Sequence, residues 1–323
     1  MTQPTTLADA TRLAQDIEHH LNQVLIGQRQ VVREVLIALV SGGHVLIEGV
    51  PGLGKTLLVR SLGKVLELDF NRIQFTPDLM PTDVTGHAMY DQKSEQFRIR
   101  RGPAFTQLLL ADEINRAPAK TQAALLEVMQ ERQITIEGKA FTLNEPYMVL
   151  ATQNPLDQEG TYPLPEAELD RFLFKVLIDY PDHADETRLV NMVLDGTIRA
   201  SLDVESLTPV TDAAGLKAMK TLSDGVLIDD EVLDYALRIV RATRDFSGLS
   251  HGASPRASIA LARASRVQAL FEGRDFVTPD DVQQVARPVL RHRIQLSADA
   301  EIEGQTPETA LGRLLEQVEA PKQ

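Results

Sequence analysis

The 323-residue sequence contains no cysteine. That removes disulfide bonds, thiol nucleophiles and thiolate-bound zinc together. Positive charge is also scarce: 33 Lys and Arg against 46 Asp and Glu leave a formal net charge of −13. Such a balance argues against nonspecific grip on DNA, RNA or an anionic membrane. No apolar run is long enough to span a bilayer, and the opening MTQPTTLADATRLAQ has no apolar signal core. A cytoplasmic location is the expectation. His19, His20, His44 and the other scattered histidines show no metal-ligand spacing and read as structural. There is no internal repeat and no low-complexity segment.

What is there is ordinary globular material, with 43% hydrophobic and 24% charged residues and length enough for two domains or one large one. Up to Val40 the apolar spacing is helical, broken by a loop at Ile26-Gly27-Gln28. Five short apolar runs then read as buried strands: His44–Glu48, Phe70–Phe75, Leu108–Ala111, Tyr147–Ala151 and Phe172–Ile178. Helical patterns at Thr56–Leu66 and Lys120–Arg132 alternate with them. Strands apolar on both faces, interleaved with helices, predict a parallel α/β sheet covered on both sides. Gly86–Phe105 and Gln133–Leu143 read as β-hairpins inserted into that core. After Ile178 the strands stop. Asp179–His183 reads as a linker, which divides the chain into an α/β domain (1–179) and a smaller all-helical domain (180–323). Within the latter, Thr278-Pro279-Asp280-Asp281 is a helix start and Glu308–Val318 a terminal helix.

The chemistry-bearing signal begins at Gly49-Val50-Pro51-Gly52-Leu53-Gly54-Lys55-Thr56, which fits GxxxxGK[ST] between a strand and a helix. Glycines let backbone N–H groups converge on phosphate oxygens at a helix start. Lys55 is expected on the β- and γ-phosphates, and the Thr56 hydroxyl on Mg²⁺. About fifty residues later the strand Leu108–Ala111 ends in Asp112 and Glu113. Asp112 suits the metal, and Glu113 suits the general base that polarises the attacking water. Asn154, after another buried strand, either orients that water or contacts the γ-phosphate, or else starts an Asn-Pro turn. No NKxD segment reads guanine, so ATP is expected over GTP.

Two arginines stay ambiguous on local grounds. In DQEGTYPLPEAELDRF, Arg171 either pairs with Glu168 one helical turn back or reaches another molecule's phosphates. Arg256 sits at a helix start, a poor place for a cation, so it is either an exposed side chain or a group that meets an anion. Arg287, Arg291 and Arg293 cluster near a helix end, where the dipole suffices to explain them.

Together these motifs resemble the AAA+ ATPases, and more narrowly the MoxR family, related to magnesium-chelatase ATPase subunits. GVPGLGKT, DEINRAPAKTQAALLEVMQE, ATQNP, EAELDRF and SPRA carry the likeness from Ile26 to Arg293. The resemblance implies an ASCE-type P-loop NTPase sheet with a helical lid, binding ATP/ADP and Mg²⁺. It assigns Asn154 to the sensor-1 position, Arg256 to sensor 2 and Arg171 to an arginine finger acting in trans. It sets Ile26 and Gly27 near the adenine, leaves Arg116 as a second candidate at the subunit interface, and makes the hairpins substrate- or pore-facing inserts. It further implies a homo-oligomeric ring, a hexamer in this family. The ring would remodel a protein client, with a von Willebrand factor A domain protein as partner.

Two other readings compete. A nucleic-acid motor is disfavoured by the net charge and by hairpin tips that mix Lys93 and Lys139 with Asp91, Glu95 and Glu137. A nucleotide-gated scaffold with slow turnover would not need Glu113, Asn154, Arg171 and Arg256 all together.

Overall fold

The computed structural model describes residues 3–50, 52–93, 95–154, 160–195 and 204–321. Pro51 and the Asp157–Glu159 part of the acidic stretch lie outside them. Two helices come first, α1 (Leu7–Asn22) and α2 (Arg29–Val40). A five-stranded parallel sheet follows, in the order β2 (Phe70–Gln74), β5 (Leu108–Asp112), β8 (Met148–Gln153), β1 (Val45–Glu48), β9 (Phe174–Leu177). All five expected strands are present: β1, β2 and β9 are shorter than expected by one to three residues, β5 runs one residue further, to Asp112, and β8 is shifted forward to Met148–Gln153. β8 lies between β1 and β5, so the phosphate loop and the acidic pair leave the same edge of the sheet with one strand between them.

Alternation fixes which residues meet which layer. Val45, Ile47, Leu108, Leu110, Met148, Leu150, Phe174 and Val176 enter the core beneath α1, α2 and α3 (Lys55–Val65). Leu46, Leu109, Ala111, Val149, Ala151 and Phe172 face α5 (Ala119–Glu131) and the inserts. Those inserts are α4 (Pro81–Thr85), the antiparallel pair β3 (Gly86–Asp91) and β4 (Gln96–Arg101), and the pair β6 (Gln133–Ile136) and β7 (Lys139–Thr142). Both hairpins stand where the sequence predicts them.

Beyond the sheet come α6 (Glu166–Leu169), ahead of β9, then α7 (His183–Leu194), α8 (Ala213–Asp224), α9 (Asp230–Asp245), α10 (Pro255–Phe271), α11 (Pro279–Leu290), α12 (Ala298–Ile302) and α13 (Pro307–Gln317). The described residues of this lid are helical except for an isolated bridge between Leu227 and Phe276 and one strand pair, which departs from the all-helical expectation. A short ribbon pairs β10 (Leu249–His251) with β11 (Gln295–Leu296). Strands of three and two residues carry too little alternation to be read from sequence.

The lid does not have a core of its own. Buried side chains of α8 to α11 belong to the same apolar cluster as those of α1, α2 and one face of the sheet. Polar contacts fasten the join. The Thr11 hydroxyl donates to Leu270 O at 2.8 Å, Arg263 donates to Ser41 O at 2.8 Å, and Arg33 bridges Glu18 (2.9 Å) and Glu272 (2.5 Å).

Candidate active site

Gly49 is forced by its surroundings. A Cβ there would lie 2.5 Å from the Ile178 carbonyl oxygen, at the point where β1 and β9 end side by side. Gly52 and Gly54 have φ of +89° and +80°, a region that L side chains avoid. No atom lies within 4 Å of where either Cβ would be, so the loop encloses an open cradle. Lys55 opens α3, its ammonium bonded to the Gly49 carbonyl. Burial pushes that ammonium below its ordinary pKa, against the pull of Asp112, Glu113 and Glu48. Gly52, Gly54, Lys55, Thr56, Asp112, Glu113, Thr152 and Asn154 line one cleft at the carboxyl edge of the sheet. In open α/β sheets ligands bind at this edge. Val50 and Leu53 belong to the same loop.

The two acids are held individually. Asp112 Oδ1 accepts from the Thr152 hydroxyl at 2.6 Å, and Oδ2 pairs with Arg72 at 2.7 Å. Glu113 occupies the left-handed region (φ 56°, ψ 50°), a strained setting for a non-glycine residue. Its N–H donates to Thr152 Oγ1 at 2.9 Å. Oε2 accepts from Gln74 (2.6 Å) and Arg116 (3.1 Å). Behind it, the fully buried Gln122 donates to Ile114 O, Ala117 O and Tyr162 O, fixing the turn that aims the carboxylate. Arg116, expected at the subunit interface, thus pairs with Glu113 of its own chain. Arg72 and Gln74 lie in no motif, and Gln122 and Thr152 lie inside the family-like stretches with no role assigned to them. Pairing of β2 with β5 is what brings Arg72 and Gln74 to the acids.

Asn154 is buried just past β8, in the same cleft. Gly27 lies against the residues that follow β9, a strand that itself ends beside Gly49. Gly27 approaches Pro181 and Asp185, and Gln28 donates to Asp179 O at 3.2 Å.

Arg171 and Arg256 are in neither place. They line a second hollow together with Asp170, His44, Met129 and Gln130. His44 precedes β1 and Arg171 precedes β9, so this hollow is at the amino edge of the sheet. β1 has four residues, about 13 Å of strand, and separates it from the phosphate loop. Among the described residues neither arginine side chain has a partner, and Arg171 Nε is buried without one. The Glu168 ion pair that local spacing allows is not formed.

Behind the hollow a buried guanidinium holds Asp170. Arg293, 3% exposed, pairs through Nε with Asp170 Oδ1 at 2.6 Å. It also donates to Asp170 O (3.2 Å), Phe172 O (2.5 Å), Leu173 O (3.0 Å) and Val289 O. Asp170 Oδ2 accepts from the Ser254 hydroxyl at 2.8 Å. The helix-dipole explanation of Arg293 is therefore insufficient. Arg291, by contrast, stays local, bonded to Arg287 O and Glu308.

A family model described as "ATPase family associated with various cellular activities (AAA)" matches residues 44–174, and one for the AAA lid domain matches 241–314. Chaperone MoxR1 of Mycobacterium tuberculosis is 42% identical, over 94% of this chain and 81% of its own length. The chain belongs to the MoxR family of AAA+ ATPases. Protein MoxR of Paracoccus denitrificans is 32% identical over 87% of this chain and 88% of its own. The uncharacterized YeaC of Bacillus subtilis reaches 43% over 94% and 93%. A crystal structure from Cytophaga hutchinsonii, of a protein assigned as an ATPase, superposes with a TM-score of 0.89 at 38% identity, covering 98% and 97% of the two chains. ATP hydrolysis is thus the chemistry of this MoxR-family chain. No helix among the described residues is long and apolar enough to cross a membrane.

Proposed function

We propose that the chain hydrolyses ATP in a homo-oligomeric ring, a hexamer, in which each subunit completes its neighbour's site and uses the cycle to remodel a protein client. The observation that carries this reading is the separation of two half-sites. The phosphate cradle, Asp112, Glu113 and Asn154 occupy one edge of the sheet, and the unpartnered Arg171 and Arg256 the other. Neither arginine serves its own chain's cradle at that distance, whereas both suit a triphosphate presented by an adjoining copy.

In this reading residues 1–179 form the nucleotide-binding domain and 180–323 the lid. The loop Gly49–Thr56 receives the phosphates, and the Ile26-Gly27 turn flanks the base. Thr56 and Asp112 are hard oxygen donors beside the open cradle, a set that fits Mg²⁺. When bound, the ion neutralises phosphate charge. Glu113 accepts the proton of the attacking water, and Asn154 orients that water. Arg171 and Arg256 of the adjoining copy neutralise the charge that develops on the γ-phosphoryl. An arginine supplied in this way accelerates phosphoryl transfer by about 10³–10⁵, on the order of 4–7 kcal/mol of barrier. A surface pair with Glu168 would contribute only ~0.3 kcal/mol.

A client contact is offered by the β3–β4 hairpin. Tyr90 (53% exposed) and Phe97 (75%) stack edge to face at 5.4 Å, a costly arrangement to leave in water unless something covers it. MoxR1 is named a chaperone, in keeping with a protein client. A von Willebrand factor A domain partner and a cytoplasmic setting complete the proposal by family likeness alone.

The test is steady-state ATPase activity of Arg171→Ala, of Glu113→Gln and of their equimolar mixture. Two nearly inactive variants that recover part of the rate when mixed establish shared sites. Wild-type turnover by Arg171→Ala under assembled conditions overturns the reading.

A further inference from the structure

Arg171 and Arg256 come from opposite sides of the domain join, yet their immediate neighbours are bonded to each other. Ser254 caps α10, its hydroxyl oxygen accepting from the Arg256 N–H at 3.2 Å. The same hydroxyl donates to Asp170, the residue before Arg171. Asp170 and Ser254 are 84 residues apart in sequence, so this one contact sets the spacing of the two arginines. Arg293 locks it, holding the second Asp170 oxygen and the backbone carbonyls on both sides of Arg171.

Charge makes the lock necessary. Arg293 lies behind the hollow that Arg171 and Arg256 line, so three guanidinium groups converge there, and Asp170 is the one carboxylate among the described residues of the hollow. Asp170 is itself committed to Arg293. Without that arrangement the cations would repel one another and turn toward solvent. We propose that Arg293 and Asp170 are positioning residues that present Arg171 and Arg256 as one rigid pair to the triphosphate of the adjoining subunit. This rests on the reading that those arginines act in trans.

A plain domain staple would use the same bonds, so the test must separate position from stability. Lysine at 293 keeps the charge and loses the planar fork that holds five acceptors at once. Arg293→Lys is expected to lower assembled turnover by about ten- to a hundredfold, the effect of an ångström-scale misplacement of a reacting group. Nucleotide affinity, read with a fluorescent ATP analogue, should stay within about twofold, because its own cradle is remote. Ser254→Ala, which removes one hydroxyl, tests the same link with less burden on folding and should follow in the same direction, less strongly.

Mixing decides the matter. Arg293→Lys has an intact cradle and a misplaced arginine pair; Glu113→Gln has the reverse. Their mixture should recover activity to the extent that Arg171→Ala with Glu113→Gln does, and Arg293→Lys with Arg171→Ala should recover none. If the Arg171→Ala control recovers and Arg293→Lys does not, or if Arg293→Lys and Ser254→Ala both keep wild-type turnover, the positioning role is overturned. If the Arg171→Ala control itself fails to recover, the trans reading falls and takes this inference with it.

Discussion

The side-chain amide of Gln74 donates to Glu113 Oε2 at 2.6 Å from the neighbouring strand, a hydrogen bond that occupies a lone pair of the expected general base. A carboxylate so held is tethered to the neighbouring strand and is not free to swing toward an attacking water. Gln74→Ala is therefore expected to raise basal turnover by roughly tenfold. That corresponds to about 1.4 kcal/mol, the low end of what a hydrogen bond to a charged group contributes. Arg116 still holds the same oxygen, so the release is partial. Unchanged or lower turnover at saturating ATP would refute the restraint.

Gly49→Ala should abolish tight nucleotide binding. The new methyl would lie 2.5 Å from the Ile178 carbonyl and force β1 and β9 apart where the phosphate loop begins. We expect at least about a tenfold loss of ATP affinity, the equivalent of ~1.4 kcal/mol. Gly138→Ala is the control: φ there is +74°, with no atom within 4 Å of the added carbon. It strains the backbone of a remote hairpin, which Gly49→Ala does not do to the phosphate loop, and should leave affinity unchanged. Equal losses in the two variants would mean that general destabilisation, and not contact with Ile178, is responsible.

His44 predicts an acid limit. Its Nε2 donates to Met129 O at 3.0 Å and its Nδ1 accepts from Val149 N–H at 3.0 Å, so the neutral ring is fully satisfied. Burial, aided by Arg132, lowers its pKa to about 4 from 6.5. The unfolded chain binds the proton first as pH falls. Stability is therefore full above pH 6.5 and is lost progressively down to about pH 4, by on the order of 3 kcal/mol. Urea unfolding at pH 7 and pH 4.5 should show the drop in wild type and a smaller one in His44→Gln. Identical pH slopes in the two proteins would assign the acid sensitivity to other groups.

Asp281 anchors the lid. Fully buried, it takes both Arg274 nitrogens at 2.5 and 2.6 Å as well as the Thr278 N–H and hydroxyl. Asp281→Ala strands a guanidinium and uncaps α11. Arg274 is 28% exposed and can rehydrate, so the expected loss is about 3 kcal/mol, the lower end for breaking a buried pair. Chemical denaturation measures it, and a loss below about 1 kcal/mol would show the pair to be replaceable by water.

The nucleotide side of the site was legible because each of its signals is local. GVPGLGKT and the strand ending in Asp112-Glu113 state their chemistry within a dozen residues, and the five strands announce themselves by continuous apolar runs. Arg293 was not legible: its partner Asp170 is 123 residues away, and its position at a helix end already had an adequate electrostatic explanation. Gln74 and Arg72 lie on a strand whose exposed face reads as solvent, and only the pairing of β2 with β5 turns them onto the acids. The companionship of Arg171 and Arg256 is likewise a product of packing. Sequence order gave each of them a role and no hint that they share a surface.

The apolar cluster that runs unbroken from α1 and α2 into α8 to α11 has a mechanical meaning. A cover whose foundation is continuous with the body it covers has no free hinge, since swinging it away would pull α1 and α2 out of register with the sheet. The phosphate loop and the lid then belong to one packed body. In the proposed ring, movement at one phosphate loop would pass to the neighbouring copy across the Arg171–Arg256 face, and the seam between copies would be where the assembly bends.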